Sequence, residues 1–161
     1  MKIIIVYFSL TGNTRKLAVK IYEIIKAKNF DVRLFELEEK KEYSFFRNCF
    51  NAISEKIIEI DKIPHIENYD LLFIGTPVWA GKITPHVRSF LKDVELKGKK
   101  VFLFTTYGSG FLKEKAMKEF VKLVEAKGGE VIGRIEVKGK KIENYTPYIK
   151  EKIENCLKEL I

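Results

Sequence analysis

Glutamine is absent from this 161-residue chain, tryptophan occurs once, cysteine and histidine twice each, and proline four times. The two cysteines, Cys49 and Cys156, stand in no Cys-x-x-Cys or zinc-type spacing. Each falls on an apolar helical stripe, so both read as buried reduced thiols, which suits a cytoplasmic protein. His65 and His86 are isolated from one another and from other ligand types, and neither is assigned to a metal. No apolar stretch approaches the ~20 residues that a membrane-spanning helix needs. Lys2 is followed at once by strand-like residues with no cleavage region, so export is not expected.

Lysine and glutamate are the residues in excess: 25 lysines, 5 arginines and 18 glutamates contribute to a formal net charge of +8. Such a composition resembles that of thermophile proteins, although a base-composition bias in the gene would produce it too. A basic balance admits nucleic acid as a partner. Here, however, the lysines are interleaved with glutamates along helix faces, and no stretch joins cationic clusters to aromatics at strand spacing. Nucleic acid is therefore not the expected partner. An apolar fraction of 46% with 32% charged residues describes a globular chain with room for a real core, one domain over residues 1–161.

Apolar runs alternate with helical patterns throughout. Strands are expected at Lys2 to Phe8, Val32 to Leu37, Leu71 to Gly75, Lys100 to Thr106 and Val131 to Val137. The first helix is expected from about Thr14 to Lys28, burying Leu17, Ile21, Ile24 and Ile25. Another opens at Thr84-Pro85, where a capping residue precedes proline at the first helical position. A further helix carries Leu112, Ala116, Phe120, Leu123 and Val124 before stopping at Gly128-Gly129, and the last runs to the C-terminus. Phe45 to Glu59 reads as a helix as well, with Tyr43, Phe45 and Phe46 as core aromatics. This alternation implies an α/β fold with helices on both faces of a five-stranded parallel sheet. Arg33, Glu36, Arg134 and Glu136 mark the second and fifth strands as edges, while the other three are nearly continuous apolar runs. An order of 2-1-3-4-5 satisfies both observations. It places a ligand beyond the C-terminal ends of the first and third strands, where the order reverses.

Three loops at that end carry the chemistry. Ser9-Leu10-Thr11-Gly12-Asn13-Thr14 follows the first strand and opens the first helix, so hydroxyls and unpaired amides converge at the positive end of a helix dipole. The spacing is neither Gly-x-Gly-x-x-Gly nor Gly-Lys-Ser/Thr, and it points to a phosphate monoester. A plain helix cap is the alternative, but three hydroxyls within six residues exceed what one cap uses. After the third strand come Thr76-Pro77-Val78-Trp79-Ala80-Gly81-Lys82, where Trp79 reads as ligand contact, with core or partner contact as the alternative. After the fourth come Thr105-Thr106-Tyr107-Gly108-Ser109-Gly110, a backbone-rich loop or an ordinary turn.

A phosphate cradle flanked by an aromatic loop and a glycine-rich loop fits a phosphorylated planar ligand. On the motifs Ser9-x-Thr11-Gly12-x-Thr14 and Thr76-Pro77-Val78-Trp79-Ala80-Gly81, each after the expected strand, the chain resembles the flavodoxin-like FMN-binding family. The resemblance implies a three-layer sandwich with bound FMN. It implies that Ser9, Thr11, Gly12, Asn13 and Thr14 hold the phosphate. Thr76, Pro77, Val78 and Trp79 would flank the isoalloxazine, with Gly81 supplying a peptide free to turn. Tyr107, Gly108, Ser109 and Gly110 would line the pyrimidine end. The function implied is electron transfer between a reductase or ferredoxin-like donor and an acceptor, with no catalytic side chain required. An NAD(P)H-dependent FMN quinone oxidoreductase, often oligomeric, is the runner-up, and a homo-oligomer remains open. A protein that kept the fold and lost the cofactor is a third reading.

Many flavodoxins surround the flavin with carboxylates. This chain instead places Lys82, Lys113, Lys115, Lys138, Lys140 and Lys141 toward the ligand end. Cations near a forming anion stabilise it, so a less negative potential for full reduction is expected. The same rim would attract an acidic protein or a phosphorylated nicotinamide, unless these lysines merely solvate the surface.

Overall fold

The computed structural model describes residues 1–40 and 57–160. The expected helix over Phe45 to Glu59, the aromatics at 43, 45 and 46, and Cys49 lie largely or wholly outside them. Strand β1 (Lys2–Tyr7) leads into α1 (Asn13–Ala27) and β2 (Asp31–Glu36). Strand β3 (Leu71–Trp79) is followed by the short β4 (Lys82–Ile83) and by α2 (Pro85–Asp93). Then come β5 (Lys100–Tyr107), α3 (Lys113–Ala126) and β6 (Glu130–Lys138). A 3-10 turn, Gly139–Tyr145, hands the chain to α4 (Thr146–Lys158).

The sheet runs β2-β1-β3-β5-β6, all parallel, with β4 paired antiparallel to β3 alone. Leaving out that hairpin arm, the path is the 2-1-3-4-5 order, and the strands carrying Arg33 and Arg134 are its two margins. The period of two along each strand divides the core between the faces. Ile4, Val6 and Phe8 face one layer, shared with Val87 and Phe90 of α2 and Met117 and Phe120 of α3. Ile3, Ile5 and Tyr7 face the other, against Leu17 and Ile21 of α1 and Ile149 and Ile153 of α4. Cys156 is buried in that second layer, and burial pushes its thiol up to about 11.

Gly75 lies opposite Phe104 across the β3–β5 ladder, and the Phe104 ring fills the volume that a side chain at 75 would need. Gly133 makes the same allowance for Phe102, just past an irregularity in the β5–β6 register. Two large aromatics thus lie over the ladder itself, on the α1 and α4 side.

Thr76 to Lys82 departs from the expected loop. Beyond Gly75, where pairing with β1 ends, β3 continues through Trp79 and turns back as β4. Having lost one neighbour, the strand tolerates Pro77. Ala80 and Gly81 form the connection between the paired residues Trp79 and Lys82, at φ of 49° and 73°. Two positive φ values in a two-residue loop are the type I′ geometry, whose twist matches that of the flanking strands.

Candidate functional site

The three loops meet at the C-terminal end of the sheet, and specific contacts join them. Gly12, at φ 87°, precedes α1 with open space around its Cα. No side chain caps this helix at its Gly12 cap position, and no acidic residue occupies its first turn. The positive dipole end is therefore left without a carboxylate of the helix's own, as an anion site requires. Ser9 is buried, and its Oγ accepts the Arg15 N–H at 3.2 Å, which leaves the hydroxyl hydrogen free to donate elsewhere. Thr11 is exposed and Asn13 half-buried. Thr14 is enclosed, and its Oγ1 lies 2.7 Å from Thr106 Oγ1 on β5.

Arg15 points away from the loop. Its Nε and Nη2 grip Glu36 at 2.8 and 2.6 Å, a bidentate pairing that neutralises the carboxylate at the end of β2. Tyr7 donates to the same carboxylate at 3.1 Å. Burial, with Glu36 close by, pushes the Tyr7 hydroxyl up to about 12. No net negative charge from Glu36 therefore faces the Ser9–Thr14 turn.

The hairpin is held by hydroxyls. Thr76 Oγ1 donates to the Pro77 carbonyl at 2.9 Å and accepts the Thr84 N–H at 3.1 Å, with Thr84 Oγ1 a further 3.0 Å contact. Thr76 thereby closes the hairpin beneath its tip, while Pro77 and Val78 remain half-buried. Trp79 is 7% exposed, its indole edge-on to Phe8 at 5.7 Å and to His86 at 6.1 Å. The side chain is thus packed into the apolar layer beneath the loops. Phe8 and His86 stack with centroids 3.4 Å apart, and burial holds the imidazole down at about 3. Its Nε2 lies 3.4 Å from Glu39 Oε2.

A Cβ on Gly81 would fall 2.7 Å from Leu112 Cβ, so the hairpin tip abuts the end of the third loop. In that loop Gly108 and Ser109 are exposed, and Ser109 Oγ accepts the Phe111 N–H at 3.3 Å. Gly110, at φ 82°, packs under the Tyr107 ring. The Tyr107 and Tyr145 oxygens are 3.4 Å apart; this contact, with burial, pushes the Tyr107 hydroxyl up to about 12. Lys113 Nζ sits 4.8 Å from the centre of the same ring.

Thr106, Tyr145 and Gly139 belong to this arrangement; the sequence places Thr106 in the third loop without a role and does not mark the other two. A Cβ on Gly139 would lie 2.8 Å from Asn13 Nδ2, so that glycine makes room for a side chain of the first loop. The hydroxyls of Thr105 and Thr106 at the end of an otherwise apolar strand were the available signal for the first. Nothing local marks the other two. Among the described residues no helix is long and apolar enough to cross a membrane, and no cluster of His, Cys, Asp and Glu is arranged to hold a metal.

A hydroxyl-lined helix N-terminus with glycine at its cap position, a hairpin and a glycine-rich loop at the switch point of a doubly wound sheet define a flavodoxin-like α/β protein. A family model described as Flavodoxin matches residues 2–147, and the chain belongs to that family. The chain is 28% identical over 156 residues to the flavodoxin-like domain-containing protein BilS of Clostridioides difficile, covering 94% of this chain and 73% of that one. It is 25% identical to a flavoprotein of Lactobacillus acidophilus solved in complex with FMN, with a TM-score of 0.69 and coverage of 90% and 98%. The two-electron reduced flavodoxin of Megasphaera elsdenii is 28% identical, with a TM-score of 0.66 and coverage of 97% and 98%.

Proposed function

We propose that this chain binds FMN across the three loops and carries electrons between a reductase or ferredoxin-like donor and an acceptor. The observation that carries the reading is the start of α1, where Gly12 offers no capping side chain, Ser9 Oγ takes only the Arg15 N–H, and no acidic side chain occupies the first turn. The amides of Thr11, Gly12, Asn13 and Thr14 would hold the phosphate with the hydroxyls of Ser9 and Thr11. Thr14, tied to Thr106, would fix the turn in place. Pro77, Val78 and the Ala80-Gly81 turn would flank one side of the ring, with Thr76 and Trp79 supporting them from below. Backbone donors of Gly108, Ser109 and Gly110 would reach the pyrimidine end beside Tyr107. FMN, when bound, supplies the electron-carrying ring.

Lys113 and the lysines from 138 to 141 would favour an anionic reduced cofactor. A redox titration yielding a very low potential for full reduction would contradict that. The competing reading is an enzyme that reduces quinones with NAD(P)H. It draws on a cleft of about 880 Å³ beside Gly110 and Leu112.

Purified protein mixed with FMN is expected to quench flavin fluorescence with one-to-one stoichiometry and to retain a flavin spectrum after gel filtration. Folded protein that stays colourless overturns the proposal. Rapid NAD(P)H oxidation with a quinone, unaided by a second protein, would turn the carrier into the enzyme.

A further inference from the structure

The cleft beside the third loop is strongly cationic. Its walls carry Lys113, Lys115, Lys118, Lys122 and Arg88 against only Glu114 and Glu119. Arg88 and Glu119 pair with each other, and Glu119 also accepts the Ile83 N–H at 3.4 Å, so that pair ties α2 and α3 beneath the hairpin. What remains is four lysines and one carboxylate. Lys115, Lys118 and Lys122 recur at intervals of three and four along α3 and therefore share one face. All three are exposed, and among the described residues none forms an ion pair.

An apolar patch adjoins this stripe. Phe111 is 78% exposed and Leu112 40%, at the point where the third loop becomes α3. Two adjacent exposed apolar side chains beside a row of cations offer a short-range apolar contact next to a long-range positive field. It lies beside the place where an electron would leave or enter, because Phe111 directly follows Gly110 and Lys113 sits over Tyr107.

We infer that the Phe111 and α3 surface docks a redox protein whose own electron-carrying centre is surrounded by carboxylates. The inference rests on the FMN-carrier reading and adds the partner's chemistry to it. Lys115 to Lys122 spans ~10 Å of helix, suited to a row of carboxylates on a protein face. Flexible ammonium groups on an open surface attract such a face at long range, and Phe111 supplies the short-range contact.

The test uses FMN-loaded protein and a chemically reduced, carboxylate-rich [2Fe–2S] ferredoxin as the probe, with the loss of visible flavin absorbance followed by stopped flow. The second-order rate is expected to fall steeply as salt is added. Reversing the stripe (Lys115→Glu, Lys118→Glu, Lys122→Glu) is expected to slow it at low salt by roughly tenfold or more. An equal reversal at the far end of the sheet (Lys26→Glu, Lys97→Glu, Lys158→Glu) is expected to change it by less than about twofold. Phe111→Ala should weaken the complex and leave the salt dependence intact.

A rate indifferent to salt, or equal slowing by both reversals, overturns the inference. So does NADPH binding that is lost on stripe reversal while ferredoxin rates persist, because the cleft would then serve a phosphorylated nicotinamide. Flavin content is measured first, so a protein that takes no FMN is recognised as a failure of the carrier reading. Calorimetric titration of the same preparations with ferredoxin then decides the surface independently of the flavin.

Discussion

Thr14 and Thr106 share a buried contact between hydroxyl oxygens 2.7 Å apart, which ties the first turn of α1 to the last residues of β5. The first loop and the glycine-rich loop are therefore mechanically joined.

Replacing Thr106 with valine strands the Thr14 hydroxyl in an enclosed position. Such a loss costs about 1–2 kcal/mol, and urea denaturation is expected to show it. FMN affinity should fall several-fold although residue 106 touches no phosphate in the proposed binding mode. Unchanged affinity in a folded T106V variant would separate the two loops.

Gly139→Ala tests the proposed phosphate-binding role of the first loop from the opposite side. The added methyl would sit 2.8 Å from Asn13 Nδ2 and displace that side chain from its present place. FMN binding is expected to weaken about tenfold, equivalent to roughly 1.4 kcal/mol. Riboflavin, which lacks the phosphate, should bind as it does to the parent. Fluorescence quenching with both ligands measures the contrast, and equal weakening would place the effect elsewhere.

The hairpin turn should respond asymmetrically. Gly81→Ala meets both a positive φ and the Leu112 side chain, and a destabilisation of about 1–3 kcal/mol is expected. Ala80→Gly relieves a left-handed alanine, but it also loosens the unfolded chain. These offset, and stability within about 0.5 kcal/mol of the parent is expected. Thermal unfolding of the two variants, side by side, checks the order.

His86 makes the fold sensitive to acid. Burial holds its ring at about 3, against 6.5 in the open chain. Between those values the unfolded chain binds a proton that the folded one refuses, so stability falls as pH drops from 6.5 toward 3. The slope approaches about 1.4 kcal/mol per unit, and this group adds no further dependence above that window. His86→Leu is expected to flatten that acid limb in urea midpoints taken at successive pH values. An unaltered limb would assign it to carboxylates instead.

Strand order was readable because burial leaves a compositional trace. Ile3 to Val6 and Leu71 to Ile74 carry no polar residue, whereas Arg33 and Glu36, or Arg134 and Glu136, are affordable only at a margin. The hairpin was not readable. Its turn is Ala80-Gly81 rather than Asn-Gly, and alanine gives no hint of a left-handed backbone. Trp79 kept two readings because loop composition cannot reveal that Phe8 and His86 enclose its indole. Tyr145 and Gly139 reach the site from the 3-10 turn after β6, and that long-range approach has no local pattern.

Gly75 yields its space to the ring of Phe104. The strand bearing the hairpin and the strand bearing the glycine-rich loop therefore fit together as key and lock. Any methyl introduced at 75 would evict that ring and carry the disturbance three residues along to Tyr107. Redesign of the hairpin thus obliges a matching change in the glycine-rich loop, and the two are best varied as a single unit.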